Sequence, residues 1–566
     1  MPYRAPIAEH RFLLDHILGF ASVAATTRFA EATPETVDAI LTEAGRLSEI
    51  TLAPLNRAGD LHPAHLENGI VRTSPGFAEG FRAVAEGGWI GMSANPAYGG
   101  MGLPTTLNTC VAEMMSSACL ALQLNPMLTQ GQIEALDHHA SDALKSLYLP
   151  KLISGEWNGT MNLTEPQAGS DVGALRSRAE PLGDDTYAIT GQKIYITWGD
   201  ADFMANTCHL VLARLPDGEA GVKGISLFMV PKFLPDAAGN PGQRNTLNVV
   251  SLEHKLGIHG SPTCVMQFDA AKGWLVGAPH KGMAAMFTMM NNARLGVGMQ
   301  GVAQAEAAFQ HALTYANDRK QGKTPLGAGA IIDHADVRRM LAEMKAEVFA
   351  ARAIALACAV AIDMGTATGD TAWLARGAFL TPIAKAYGTD TGHHVAHLGV
   401  QVHGGMGFIE QTGAAQYARD VRITQIYEGT NGIQAMDLVG RKMIDNGDAA
   451  FALIDEMRKT VQTARPALND LATPLWTAID ALHEATETLL AQALNDRFAG
   501  AVPYLRAFAR VLGCHYHLLA AVADPAREPL TRFAIRRLLP EHAALLAQAR
   551  EGAAGLYDLT PEALAS

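Results

Sequence analysis

The spacing of apolar positions changes character twice along the chain. Up to about residue 158 it is mostly helical. "TPETVDAILTEAGRLSEI" opens on Thr33, carries acids in its first turn and then repeats apolar residues three and four apart. "GGWIGMSANPAYGGMGLP" interrupts this pattern with Gly and Pro and reads as a loop. Near residue 160 the period shortens. "YAITGQKIYIT", "HLVLARL", "KGISLFMV", "TLNVVSL" and "CVMQFD" are β-rich runs separated by turn signals, and they predict a barrel or sandwich over 159–275. Helical spacing returns at "GMAAMFTMMNNARLGVGMQ" and persists to about 440, which predicts a bundle of long amphipathic helices over 276–440. A second helical block fills 441–566. The expected fold is mainly α, with a helical domain at 1–158, a central β domain, a helical bundle and an extra C-terminal helical domain.

Composition narrows the function. The 566 residues exceed one core, and 48% hydrophobic with 18% charged residues describes a globular protein. A net charge of −12 argues against nucleic acid as the main partner, and 441–566 holds 13 basic against 15 acidic residues, so it is no basic arm. Six scattered cysteines form no Cys-x-x-Cys pair and no zinc spacing. They read as buried free thiols in a reducing compartment, with no metal site. Glu9 and Asp15 interrupt the first apolar run, which is therefore neither a signal peptide nor a membrane span. No later window offers about 18 uninterrupted apolar residues. The expectation is a cytoplasmic protein without an integral membrane segment.

Three stretches hold candidate chemistry. In "LTEPQAGSD", Thr164, Ser170 and Asp171 have local hydrogen-bonding power, and Gly169 lets the backbone bend around a ligand. An ordinary loop fits equally well. In "QVHGGMGF", Gly404, Gly405 and Gly407 would admit a phosphate, although a helix–helix turn fits the run better when it is read alone. In "QIYEGTNGIQ", Asn431 with Gln434 resembles a helix cap. Glu428 is not needed for that cap. A lone acid is usually solvated, but this one has apolar flanks. In a pocket of that kind the charged form is disfavoured, which suits a base that removes a weakly acidic carbon-bound proton near neutral pH.

Together, and in this order, the three stretches resemble the signature segments of acyl-CoA dehydrogenases. "GWIGMSANPAYGGMGLP", "HKLGIHGSPT", "NNARLGVG" and "YANDRKQGK" add to the resemblance, which covers about 1–440. It implies bound FAD, an acyl-CoA substrate, and α,β-dehydrogenation to the trans-2-enoyl-CoA. The glutamate of "IYEGT" would be the base, so Glu428 is the expected catalytic residue. Some relatives carry the base on the helix matching "NNARLGVG", where this chain has Ala293.

The resemblance also implies roles by position. Leu163, Thr164 and Ser170 match the segment along the flavin, with Ser170 also on the substrate side. Tyr195 and Thr197 match the strand against the flavin ring, where relatives often have Trp-Ile-Thr; Trp198 replaces a common Asn. Arg319 matches the arginine that reaches the FAD pyrophosphate, usually from the other subunit. Gln401, Gly405 and Thr430 match further FAD contacts, and Asn291 and Arg294 match positions that hold CoA. Gly432 stands where many relatives have Gln.

The last 125 or so residues resemble a bacterial subgroup with a C-terminal helical extension. Its members act on 3-methylmercaptopropionyl-CoA or on fatty acyl-CoAs. Implied partners are an electron-transferring flavoprotein and a second copy of the chain, as a dimer or dimer of dimers. A nucleic-acid-associated relative and a flavin-binding relative without activity are the alternatives. The acidic balance of 441–566 opposes the first, and the retained Glu428 opposes the second.

Overall fold

The structure is a computed structural model that describes residues 3–327 and 329–566, with the side chains of Asn291 and Asn292 outside that description. Its first long helix, α1 (Pro34–Leu47), starts where the sequence predicts. The Thr33 side chain caps it by accepting from the Thr36 N–H, and Pro34 takes the first turn.

The 35-residue helix α2 (Thr105–His139) joins the N-terminal part to the β domain and the helical bundle and breaks at Cys119, where φ is −157°. The break leaves carbonyls free for long-range partners. Gln304 Nε2 donates to Ser116 O at 2.8 Å, and Trp198 Nε1 donates to Ala121 O at 3.0 Å. Trp198 thereby anchors the β domain on α2, with its ring beside those of Phe77 and Phe203.

The β domain has seven principal strands: β1 (Trp157–Asn162), β2 (Arg178–Pro181), β3 (Thr186–Thr197), β4 (Asn206–Arg214), β5 (Ile225–Pro231), β6 (Leu247–Leu252) and β7 (Thr263–Val276). β7, β3, β2, β4 and β5 close a barrel, because β5 pairs with both β4 and β7. β6 extends it beside β7, and β1 runs parallel to β4. Val211, Phe228, Val230, Met266 and Phe268 fill the barrel interior.

Helices α3 (Gly282–Asp318), α4 (Ala335–Thr368) and α5 (Thr371–His403) make the bundle. Arg352 of α4 is fully buried and pairs with Glu113 of α2 at 2.5 Å and Glu306 of α3 at 2.7 Å, tying three helices together. α3 and α5 approach backbone to backbone. A Cβ on Gly388 would lie 2.4 Å from Gly298 O, and one on Gly301 would lie 2.2 Å from Gly388 O. Gly388→Ala is therefore expected to cost about 1–3 kcal/mol through overpacking, read as a lower melting temperature. An unchanged melting temperature would mean that the two helices separate freely.

The short helix α6 (Asn431–Gly440) follows the "IYEGT" turn, and the C-terminal block adds α7 (Asp448–Ala491) and α8 (Leu494–Ala523). α8 packs on α4, α6 and α7. All six cysteines are free and buried, and burial raises the thiols of Cys119, Cys264, Cys358 and Cys514 to about 12. Among the described residues, α4 is the one helix long and apolar enough to cross a bilayer, and 89% of its apolar window is buried in protein. No cluster of three or more potential metal ligands occurs among the described residues.

Candidate active site

Glu428 sits on a turn held in an unusual conformation. Its φ is +55° and that of Gly429 is +85°, so a non-glycine residue occupies the left-handed region beside a glycine that tolerates it. Such strain persists only where the surroundings enforce it. Here Tyr427 Oη is hydrogen-bonded to Gln300 of α3. Gln434 Nε2 donates to Glu428 O at 3.1 Å, and Lys385 Nζ donates to Gly429 O at 2.8 Å.

The cap at this turn differs from the sequence expectation. Thr430, not Asn431, caps α6 by accepting from the Ile433 N–H. The Asn431 side chain turns instead to α5, with Nδ2 donating to Asp390 Oδ1 at 2.7 Å and Oδ1 accepting from Lys385. A capping motif read locally cannot show that a neighbouring helix will claim the side chain.

The Glu428 carboxylate is available for chemistry. Oε2 is buried and meets no hydrogen-bond donor among the described residues. Burial pushes the carboxyl up to about 7 against the opposing pull of Arg294 and Lys385. Arg294, expected to hold CoA, faces the turn from α3. It is buried, and its Nη1 donates to Asp437 Oδ2 of α6 at 3.1 Å. The guanidinium is bound to Asp437 and acts electrostatically on Glu428. The Asn291 side chain, its expected companion, lies outside the described residues.

A second group forms on the barrel. The register of β3 against β7 slips between Cys264 and Met266, leaving an extra residue on β3. Tyr195, at that bulge, has φ +61° and is 61% exposed. Thr197 ends β3 opposite Thr263 and is half-buried. Ile194 N donates to Thr164 O at 3.0 Å, and Lys193 Nζ donates to Leu163 O at 3.1 Å, so Leu163 and Thr164 lie beside the bulge.

The polar hub of this loop is Glu165, a residue the sequence reading passed over in favour of Thr164, Ser170 and Asp171. It accepts from Lys193 Nζ at 2.8 Å, Arg176 N at 2.7 Å and Ser177 N at 3.0 Å. Burial alone would raise its carboxyl, but Lys193 and these hydrogen bonds bring it down to about 2. Its signal was present in the sequence as a second acid inside the apolar-flanked "LTEP". Ser170 is exposed and Gly169 has open space around it. An uncovered tyrosine ring beside an open, backbone-rich loop suits a flat heteroaromatic ligand such as a flavin.

A third group lies at the C-terminal ends of α3 and α5. Arg319 is exposed just past α3, and Gln401 and Gly405 are exposed at the end of α5. Stacking of Tyr315 on His403, with ring centroids 4.4 Å apart, joins the two helix ends. Arg294 and Arg319 stand 25 residues apart along α3, about 37 Å at the helical rise per residue. The structure thus brings Arg294, Thr430 and Glu428 together, places Leu163, Thr164, Ser170, Tyr195 and Thr197 on the barrel, and sets Arg319, Gln401 and Gly405 far from Glu428.

Comparisons with known proteins agree with this layout. Family models match in chain order: acyl-CoA dehydrogenase N-terminal domain at 61–156, middle domain at 160–271 and C-terminal domain at 280–444, then an acetyl-CoA dehydrogenase C-terminal-like domain at 453–560. The chain is 44% identical over 519 residues to the 3-methylmercaptopropionyl-CoA dehydrogenase of Ruegeria pomeroyi, covering 89% of this chain and 88% of the relative. It is 34% identical to the broad-specificity linear acyl-CoA dehydrogenase FadE5 of Mycobacterium tuberculosis, covering 80% and 77%. The solved acyl-CoA dehydrogenase of Bacillus anthracis complexed with FAD has the same fold, with a TM-score of 0.74 at 21% identity over 97% and 92% of the chains. The chain belongs to the acyl-CoA dehydrogenase family. It is an FAD-dependent oxidoreductase acting on acyl-CoA thioesters.

Proposed function

We propose that the chain dehydrogenates a short acyl-CoA, with 3-methylmercaptopropionyl-CoA as the leading candidate, and that Glu428 is the base. The observation that carries the assignment of the base is its buried carboxylate oxygen Oε2, which meets no donor among the described residues, on a strained turn. Glu428 takes the proton from the carbon α to the thioester carbonyl, and a C=C bond forms as the β-hydrogen departs with its electron pair. FAD, when bound, supplies the acceptor for that hydride.

Leu163, Thr164, Tyr195 and Thr197 would line the flavin, and Ser170 would lie between cofactor and substrate. Arg294 steadies the negative charge on Glu428 before the proton moves. Arg319, Gln401 and Gly405 would meet the diphosphate or adenosine end of FAD. Because about 37 Å of helix separates Arg319 from Arg294, Arg319 would serve the cofactor of a second subunit. This supports a homodimer or dimer of dimers. Electrons would leave to an electron-transferring flavoprotein in the cytoplasm.

The substrate assignment rests on the 44% identity to the Ruegeria enzyme across nearly its whole length. A panel of 3-methylmercaptopropionyl-, butyryl-, octanoyl- and palmitoyl-CoA with an artificial electron acceptor tests it. The highest kcat/KM is expected for the thioether substrate, with butyryl-CoA next. One methylene is worth only about 1–3 kcal/mol of discrimination, so neighbouring chain lengths should differ by modest factors. A clear preference for palmitoyl-CoA would sink the short-chain assignment.

A further inference from the structure

Lys385 lies fully buried in the middle of α5, within the apolar run "LTPIAKAYG". A buried ammonium is costly unless it is paired and hydrogen-bonded. Its two hydrogen bonds both go to the turn that carries Glu428: to Gly429 O at 2.8 Å and to Asn431 Oδ1 at 2.9 Å. Neither acceptor is charged. The charged groups that act on it are Glu428 from the turn, Asp390 from its own helix and Arg294 from α3. Arg294 is itself held by Asp437 of α6, which also accepts from Arg441. Asp390 already accepts from Asn431 Nδ2 at 2.7 Å and Gln425 Nε2 at 2.6 Å. The Glu428 carboxylate, by contrast, has an Oε2 that meets no donor among the described residues.

A core lysine that merely satisfies two acceptors is the simpler reading. A neutral amide would do that without the cost of burying a charge, as Gln434 does for Glu428 O on the same turn. What an amide cannot supply is a positive charge acting on the carboxylate of that turn. We infer that Lys385 is a positioning residue for the reaction, fixing the 428–431 turn in its left-handed conformation and providing the charge that keeps Glu428 ready to accept a proton. The inference rests on the assignment of Glu428 as base. Burial lowers the Lys385 ammonium to about 7, against the upward pull of Glu428 and Asp390, so its charge is present on the acidic side of the profile, which is where its effect on Glu428 is read. Loss of its charge leaves burial less opposed at Glu428, and the carboxyl rises further.

The test compares purified holoenzymes carrying Lys385→Met, which removes charge and hydrogen bonds, and Lys385→Gln, which removes charge but keeps a donor. Flavin content, kcat, KM and the pH dependence of kcat/KM are measured for each. Both variants are expected to move the acidic limb of kcat/KM upward by on the order of one pH unit. Lys385→Met is expected to lose up to about 10²-fold in kcat because the turn is also released, and Lys385→Gln less, with KM little changed in both. A limb that stays in place in flavin-loaded enzyme overturns the inference. So does failure of both variants to give holoenzyme, since Lys385 would then hold the fold rather than the base. Glu428→Gln separates the two readings. If that variant stays active, the base assignment falls whatever the Lys385 limb does. If it is inactive and the Lys385 limb has not moved, only the role of Lys385 falls.

Discussion

Glu428→Gln is expected to lower turnover by about 10²–10⁴-fold or more, while the protein stays folded and yellow with bound FAD. Glutamine matches glutamate in size and can occupy the same turn, but its amide cannot accept the α-proton. The helix that carries the base in some relatives has Ala293 at that position, and Asp437, the nearby acid on α6, is bound to Arg294 and Arg441. The wild-type pH profile is the companion measurement. The base must be ionised to act, and burial holds its carboxyl at about 7. Activity in kcat/KM should therefore be low below this pH and rise as pH increases through it, two to three units above an ordinary glutamate. The limb should vanish from the residual activity of Glu428→Gln. A variant with half the wild-type rate would move the base elsewhere.

The architecture was legible because each part announces its own period. Barrel strands β3 to β7 follow from alternating β-branched runs, and the bundle follows from sustained helical spacing. What stayed hidden depends on partners distant in sequence. β1 reads "WNGTMN", too polar for a buried strand, yet Asn158, Thr160 and Asn162 are all fully buried. Thr160 Oγ1 is hydrogen-bonded to His209, Asn162 Nδ2 donates to Thr160, and Asn158 Oδ1 accepts from Thr207, so the neighbouring strand makes the polarity tolerable.

The site divides in the same way. Glu428 stood out as a lone acid with apolar flanks, but its strained φ and its neighbours Arg294 and Lys385 could not be read, since they arrive on α3 and α5. Lys385 left one trace, a charge inside an apolar helical run. Such a charge signals that something must compensate it but does not say what. The partner of Arg294 was hidden for the same reason: Asp437, which holds it, lies 143 residues away.

Removal of residues 445–566 is expected to be the most damaging change to the fold, although it deletes none of the assigned site residues. α8 does not hang beside the bundle but completes its core. Phe508 meets Phe379 of α5 with ring centroids 5.1 Å apart, and His517 Nε2 is hydrogen-bonded to Ala346 O of α4 at 3.0 Å. Arg510 pairs with Glu347 of α4 at 2.6 Å and donates to Tyr387 Oη of α5 at 3.1 Å. Tyr387 stands two residues from Lys385. Phe379 and Phe349 are fully buried in the intact chain, and re-exposing each costs about 1.5–3 kcal/mol. Glu347 would also lose its Arg510 partner, and breaking a buried pair costs more than forming it gains. Against a total stability of about 5–15 kcal/mol for a typical domain, these losses should leave the truncated protein insoluble or markedly less stable, with weakened FAD retention. Thermal melting and size-exclusion chromatography of the truncated and full chains decide the matter. Equal melting temperatures and equal oligomeric states would refute the packing role. Tight, salt-sensitive liposome binding that disappears on truncation would assign the extension to a membrane surface instead, a use that its buried apolar face argues against.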